Sequence, residues 1–257
     1  MSQTFLATLL DAATEPYRPG GKFAYHFARG KLGTDPIFRS LLRQGLIPSG
    51  GRILDLGCGQ AVFASWLLAA RRLYEAGHWP AGWPEAPRIA TLRGIELMPR
   101  DVARAHQALG AAHPLARIEL GDICACDFGT VDVVTILDVL HYIDPPRQHD
   151  VLRRVRAALT PGGRLILRIG DANGGLPFRI SNWVDQVVTF VRGHRLPRLW
   201  CRPLSEWRAL LEGLGFTVDS QPMSEGKPFA NVMLVARLPE AAQSDTDTRP
   251  LGSAGAI

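Results

Sequence analysis

The apolar positions of this chain fall into short runs of two kinds. Arg52–Leu56 is a five-residue run in which Ile53, Leu54 and Leu56 supply apolar side chains, and it reads as a buried strand. Ala61–Ala70 (AVFASWLLAA) carries little polar character and reads as a helix. Further strand-like runs occur at Ile89–Ile95, Ala116–Leu120, Asp132–Leu137, Arg164–Ile169, Phe216–Gln221 and Asn231–Arg237. Helical segments at Arg100–Ala112, Pro146–Leu159 and Glu206–Leu214 lie between them, with Ser205 as the expected cap of the last. Strands alternating with helices predict an α/β architecture around a largely parallel sheet.

Three stretches stand outside this alternation. Residues 1–50 read as an N-terminal helical cap, with helical spacing over 2–13 and a helix from Pro36 to Leu46 capped by Asp35. Between them, residues 16–34 are rich in glycine, aromatic and basic side chains. Residues 76–88 hold three prolines, two glycines and two tryptophans, which predicts a loop insertion on the helix-to-strand side of the sheet. Residues 171–204 interrupt the pattern before the last two strands. Their amphipathic segment Ile180–Val191 and the bases Arg192, His194, Arg195, Arg198 and Arg202 fit either a packed helix with a solvated loop or a substrate lid. The segment 51–238 then holds the main domain, and the small, polar residues 239–257 read as a disordered tail.

Charge and cysteine content narrow the class only slightly. The formal charge is +5, carried almost wholly by arginine, with no long basic run interleaved with aromatics, so nucleic acid is not an expected partner. Four cysteines, Cys58, Cys124, Cys126 and Cys201, are too few for a disulfide scaffold, and Cys124–Cys126 lacks a second ligand pair, so no metal site is expected. The first ten residues lack the features of a secretory signal, and no apolar run reaches the ~20 residues of a membrane span. A cytoplasmic location is the expectation.

The chemistry concentrates at the ends of the strands. Gly57, Cys58 and Gly59 form a tight turn between the first strand and its helix, where glycine accepts positive φ and lets a ligand approach the backbone. The third glycine of a dinucleotide fingerprint is replaced by Val62, and Asp55 stands two residues before Gly57. A carboxylate there repels a pyrophosphate and suits a ligand carrying an ammonium group. Glu96 ends the second strand, where one carboxylate can accept from both hydroxyls of a ribose; the insertion at 76–88 explains its unusual distance from the glycine turn.

Leu54-Asp-Leu-Gly-Cys-Gly59, Gly121-Asp-Ile123, Asp138-Val-Leu-His-Tyr-Ile143 and Thr160-Pro-Gly-Gly163 together resemble the motifs of class I S-adenosylmethionine-dependent methyltransferases of the small-molecule type, with Ala61 where that family usually has its last glycine. The resemblance runs from Gly51 to about Arg237. It implies a Rossmann-like, doubly wound sheet of seven strands, the last antiparallel, with the N-terminal segment covering the cofactor and 171–204 shaping the substrate pocket. It implies S-adenosyl-L-methionine with its adenine between Leu97 and Ile123, its adenine amino group on Asp122, its methionine part near Gly57, Cys58, Gly59 and Asp138, its ammonium on Asp55, and its carboxylate on Arg29 or His26.

His141 is the expected general base, with His194, Tyr25 and Tyr142 as alternatives, or else a histidine that only shapes the pocket wall. Lys22–Leu32 further resembles methyltransferases of bacterial aryl-polyene pigment synthesis, which implies an aromatic or phenolic acceptor. A carboxylate-bearing metabolite, free or on a carrier protein, stays open. So do an RNA methyltransferase, a nucleotide-binding oxidoreductase and a cofactor-binding protein without catalysis.

Overall fold

Strand parity decides what the sheet presents to each side. The computed structural model describes residues 2–172, 199–223 and 231–241. Within them, β1 (Arg52–Leu56), β2 (Thr91–Glu96), β3 (Ala116–Leu120), β4 (Val131–Leu137), β5 (Leu159–Gly170), β6 (Thr217–Pro222) and β7 (Asn231–Arg237) form one seven-stranded sheet in the order β3-β2-β1-β4-β5-β7-β6. The strands β1 to β5 pair in parallel, and β7 runs antiparallel between β5 and β6. The expected Rossmann-like sheet with an antiparallel last strand is therefore present. A register shift between Val131 and Val133 takes up the Thr160–Gly163 turn, so β5 begins at Leu159 rather than Arg164.

Alternate residues of each strand enter two separate cores. Ile53, Leu92, Val133, Ile166 and Val235 face one side, together with α4 (Val62–Glu75), α5 (Pro99–Leu109) and the N-terminal helices. Leu54, Leu56, Ile95, Val134, Leu165 and Leu167 face the other, with α6 (Pro145–Ala158) and α7 (Leu204–Gly213). Both faces are covered, as a parallel sheet of near-continuous apolar strands requires. The helix α7 starts one residue before the expected cap: Ser205 lies inside it, and Asp171 Oδ1 accepts from Leu204 N at 3.0 Å.

The N-terminal segment is more helical than its sequence pattern suggests. The helix α1 (Ser2–Thr14) and α3 (Pro36–Arg43) fall where they were expected, and Asp35 caps α3 by accepting from Ile37 N. Residues Gly21–Thr34 form a further helix, α2, within the stretch rich in glycine, aromatic and basic side chains, to which the sequence pattern assigns no element. Its three buried residues, Ala24, Ala28 and Leu32, recur every four positions, a helical spacing masked by the surrounding glycines and aromatics.

These helices are sewn to the sheet domain by buried hydrogen bonds. Ser65 Oγ donates to Ala13 O (2.7 Å) and Trp66 Nε1 to Phe38 O (3.0 Å). Tyr17, fully buried in the short turn before α2, donates to Gln60 O at 2.9 Å, and Gln60 Nε2 donates to Ala24 O at 2.8 Å. The insertion joins in from outside: Trp79 and Trp83 meet Phe5 of α1 edge-on, with ring centroids 5.2 and 5.6 Å away, and Tyr74 meets Trp79 at 5.8 Å. Such edge contacts between aromatic rings are favourable beyond the area they bury.

No helix among the described residues is long and apolar enough to cross a membrane. The expected lid helix Ile180–Val191 and the tail from residue 242 lie outside the described residues.

Tyr17→Phe removes the buried hydroxyl that joins the cap to Gln60. It should cost about 1 kcal/mol in urea unfolding, with the denaturant slope unchanged.

Candidate active site

The carboxyl ends of β1, β2, β4 and β5 meet the cap helices at the glycine turn. Gly57 has φ +75°, and a Cβ placed on it would lie 2.3 Å from Val139 Cγ2. Val139 belongs to the turn after β4, so the two strand ends touch at Gly57 with no room for any side chain. Gly59 also has positive φ, +57°, but a Cβ there would meet nothing within 4 Å. One glycine is required by contact inside the protein, and the other leaves its backbone open to a ligand. Ala61, the departure from the glycine pattern, takes the left-handed conformation at φ 60° that glycine adopts without strain.

The turn is held by hydrogen bonds from β2. Gly57 N and Cys58 N both donate to Ile95 O, at 2.8 and 3.1 Å. Gly59 N donates to Glu96 Oε2 and Met98 N to Glu96 Oε1, each at 2.8 Å. Glu96 is nearly buried and thus fixes the turn while standing at the tip of β2. Beside it in sequence, Leu97 is 61% exposed, an apolar side chain left uncovered.

Asp55 shares strand parity with Ile53 and so points to the cap side, next to Thr135 of β4. Thr135 Oγ1 donates to its Oδ1 at 2.7 Å. Burial pushes the Asp55 carboxyl up to about 7; the Thr135 hydrogen bond opposes this and the negative charge of Glu96 adds to it. Burial likewise pushes the Cys58 thiol up, helped by the charges of Asp55 and Glu96. A buried acid of this kind favours a cationic group brought to it.

The turn after β4 carries two more of the expected residues. Asp138 has φ 62°, and its carboxylate is bound by Arg168 Nε at 2.6 Å, by the Arg168 terminal nitrogen, and by Lys31 Nζ at 2.9 Å. Arg168 and Lys31 also both bind Asp35. Burial raises the Asp35 carboxyl, but the cations Arg168 and Lys31 outweigh it and hold the group below the ordinary range. His141 is almost buried, and its Nε2 has no hydrogen-bond partner among the described residues. Burial first, then the charge of Lys31, pulls its imidazole down to about 4, so the ring is neutral at physiological pH.

Two expected ligands stand differently. Arg29 pairs with Asp11 of α1 at 2.5 Å and also donates to Thr14 Oγ1, so its guanidinium is engaged within the cap. Asp122 is exposed and spends Oδ1 on Cys124 N at 2.8 Å, while Ile123 beside it is buried. The residues that sequence reasoning missed are Tyr17, Gln60, Thr135, Lys31 and Arg168. Arg168 had a visible signal, a lone charge inside the apolar run Leu165–Ile169; the others had none.

Residues 27–221 match the family described as a methyltransferase domain. The chain belongs to this family, and with it to the class I S-adenosylmethionine-dependent methyltransferases. It is 35% identical over 120 residues to a carboxy-S-adenosyl-L-methionine synthase of Chromohalobacter salexigens, covering 46% of this chain and 39% of that one. It is 26% identical over 136 residues to a ubiquinone biosynthesis O-methyltransferase of Xanthomonas axonopodis, covering 52% and 48%. The chain thus spans less than half the length of these two curated relatives. Among solved structures, magnesium protoporphyrin IX methyltransferase from Synechocystis with bound S-adenosylhomocysteine shares the fold at a TM-score of 0.55, with 18% identity and coverage of 85% and 88%. The cofactor is S-adenosylmethionine.

The residues present fit that cofactor. The open face of Gly59 leaves room against the backbone, Asp55 is a buried acid suited to an ammonium, Glu96 is an acid suited to a ribose, and Leu97 is an uncovered apolar surface suited to a flat base.

Two measurements check this. Glu96→Ala should weaken S-adenosylhomocysteine binding in calorimetry, by on the order of 1.5–3 kcal/mol at most per charge-assisted hydrogen bond. Asp55 has a folded-state pKa raised from 3.8 to about 7, so its contribution to stability is present below the lower value and lost as pH rises through the upper one. Binding an ammonium should therefore release a proton near neutrality, and affinity should fall as pH drops below about 7. Asp55→Asn should abolish that pH dependence, weaken binding, and melt at a higher temperature than the parent at pH 8. Calorimetry in buffers of different ionisation enthalpy, with thermal unfolding, tests both.

Proposed function

We propose that this protein methylates a small-molecule acceptor, with His141 as the base beside the transferred methyl. The observation that supports the reading best is the position of His141: buried, neutral and with an Nε2 that has no hydrogen-bond partner among the described residues, in the same turn that places Val139 against Gly57. S-Adenosylmethionine supplies a methyl group on a sulfonium, which is already an activated leaving group. The chain then has to align an acceptor, exclude water and take one proton, and alignment alone is worth several kcal/mol, roughly 7–11 at its best. Glu96 and Gly59 orient the adenosyl part, and Asp55 holds the ammonium.

An imidazole pulled down to about 4 is a weak base. It suits an oxygen whose proton becomes acidic as the new carbon–oxygen bond forms, such as that of a phenol, while a carboxylate, already ionised, needs no base. The relative named for O-methylation in ubiquinone biosynthesis supports an oxygen acceptor on a small molecule. A phenolic head group, or a carboxylate-bearing metabolite free or carrier-linked, is the acceptor class proposed.

Asp138 contributes to the cofactor pocket through the turn it begins, since its carboxylate is committed to Arg168 and Lys31. Asp122, Ile123 and Leu97 form the adenine end. Arg29 serves the cofactor carboxylate only on leaving Asp11.

With a labelled methyl donor and a panel of phenols and aromatic acids, label should enter the small-molecule fraction. Label in RNA alone, or no turnover despite tight cofactor binding, would overturn the reading. His141→Ala should slow turnover by about 10²–10⁴-fold while S-adenosylhomocysteine affinity stays near that of the parent. Turnover in the parent should show no inflection near pH 6.5, because the imidazole is already neutral there.

A further inference from the structure

Arg168 is the most deeply buried charge of the site and lies outside the machinery assigned so far. Its side chain is 3% exposed, on the cap side of β5, where Ile166 of the same parity is core. Its three guanidinium nitrogens are all used: Nε and one terminal nitrogen on Asp138, the other terminal nitrogen on Asp35. Lys31 closes the set by binding the same two carboxylates at 2.9 Å each. Two cations and two anions from α2, the α2–α3 junction, the end of β4 and β5 thus form one closed ring.

The ring acts on an unusual backbone. Asp138 is one of two non-glycine residues with positive φ among those described. An aspartate in that conformation persists where its surroundings over-determine it. Its own amide makes only a long contact, 3.4 Å, to Arg168 O, so the carboxylate is the stronger hold. The next residue is Val139, packed on Gly57. Two further on is His141, whose carbonyl accepts from Trp200 N at 2.8 Å. A rotation at Asp138 would therefore move the wall of the glycine turn and the imidazole together.

We propose that Arg168, with Lys31, is a positioning residue for methyl transfer: by holding Asp138 left-handed it fixes the turn that sets Val139 against Gly57 and His141 at the cleft. The proposal rests on the role given to His141 above. The planar fork of arginine is what the position uses, since two of its bonds go to one carboxylate and the third to another.

The test reads the turn itself, without a substrate. In Arg168→Gln the amides of Tyr142 and Ile143, which donate to Val139 O and Leu140 O, should exchange with solvent on the order of tenfold faster relative to the core strands. The His141 imidazole should titrate closer to its ordinary value as water reaches it. Affinity for S-adenosylhomocysteine should fall by on the order of tenfold. Lys31→Met leaves Arg168 in place and should give the same change in amide exchange at smaller amplitude, with Lys31→Arg restoring the parent rate. Lys31→Met also keeps the test decisive if Arg168→Gln does not fold.

Turn amides and a His141 titration like those of the parent in folded Arg168→Gln would overturn the proposal, as would unchanged exchange in Lys31→Met. Both readouts are made on the free protein, so they stand whatever the parent binds. Failure of the parent to bind S-adenosylhomocysteine would instead count against the proposed function.

Discussion

The contact between Gly57 and Val139 is the constraint on which this site depends. It packs the Val139 side chain, just past the end of β4, directly on the Gly57 backbone at the end of β1, and everything that faces the cleft is measured from that point. Glu96 reaches across from β2 to hold Gly59 because the turn sits that low. Asp55 stays buried because the same closure, with the cap above, shuts water away from it. A methyl at position 57 would separate the two strand ends and open the cleft at its base.

Much of the sheet could be read from the chain because its signals are local. An apolar strand, a glycine turn and a helix occupy a dozen residues, and β1 and β3 have the bounds their patterns give. The helix α2 was hidden because its buried face is made of Ala24, Ala28 and Leu32, small or few, while its aromatics and bases lie elsewhere around it. Within the site, the positions of the acids at strand tips were legible, since each lies at or close to the end of a strand-like run. Their partners were not. The bond from Thr135 to Asp55 joins residues 80 apart, and that from Arg168 to Asp35 joins residues 133 apart. Such pairs exist only once the sheet order is known. The state of His141 was hidden for the same reason, as its neutrality comes from burial under elements distant in sequence.

The site treats its buried carboxylates in two ways. Asp138 and Asp35 are satisfied by cations of the protein, and this makes them fixtures. Asp55 has a hydroxyl for its described partner and lies near a second acid, which on the proposed reading suits it to a charge from outside. Burying a carboxylate without a cation is expensive, and a protein keeps such a group where a ligand offsets the cost. The two kinds lie close in the fold because Asp55 pairs in register with Thr135 of β4, three residues before Asp138.

The aromatic group formed by Phe5, Tyr74, Trp79 and Trp83 has a consequence for how this protein can be watched. Two of its six tryptophans sit on the insertion and lean on the first helix rather than on the cleft. Part of its ultraviolet emission therefore reports whether that helix is docked, and a spectral change on detachment of the amino terminus need not signal anything at the cleft.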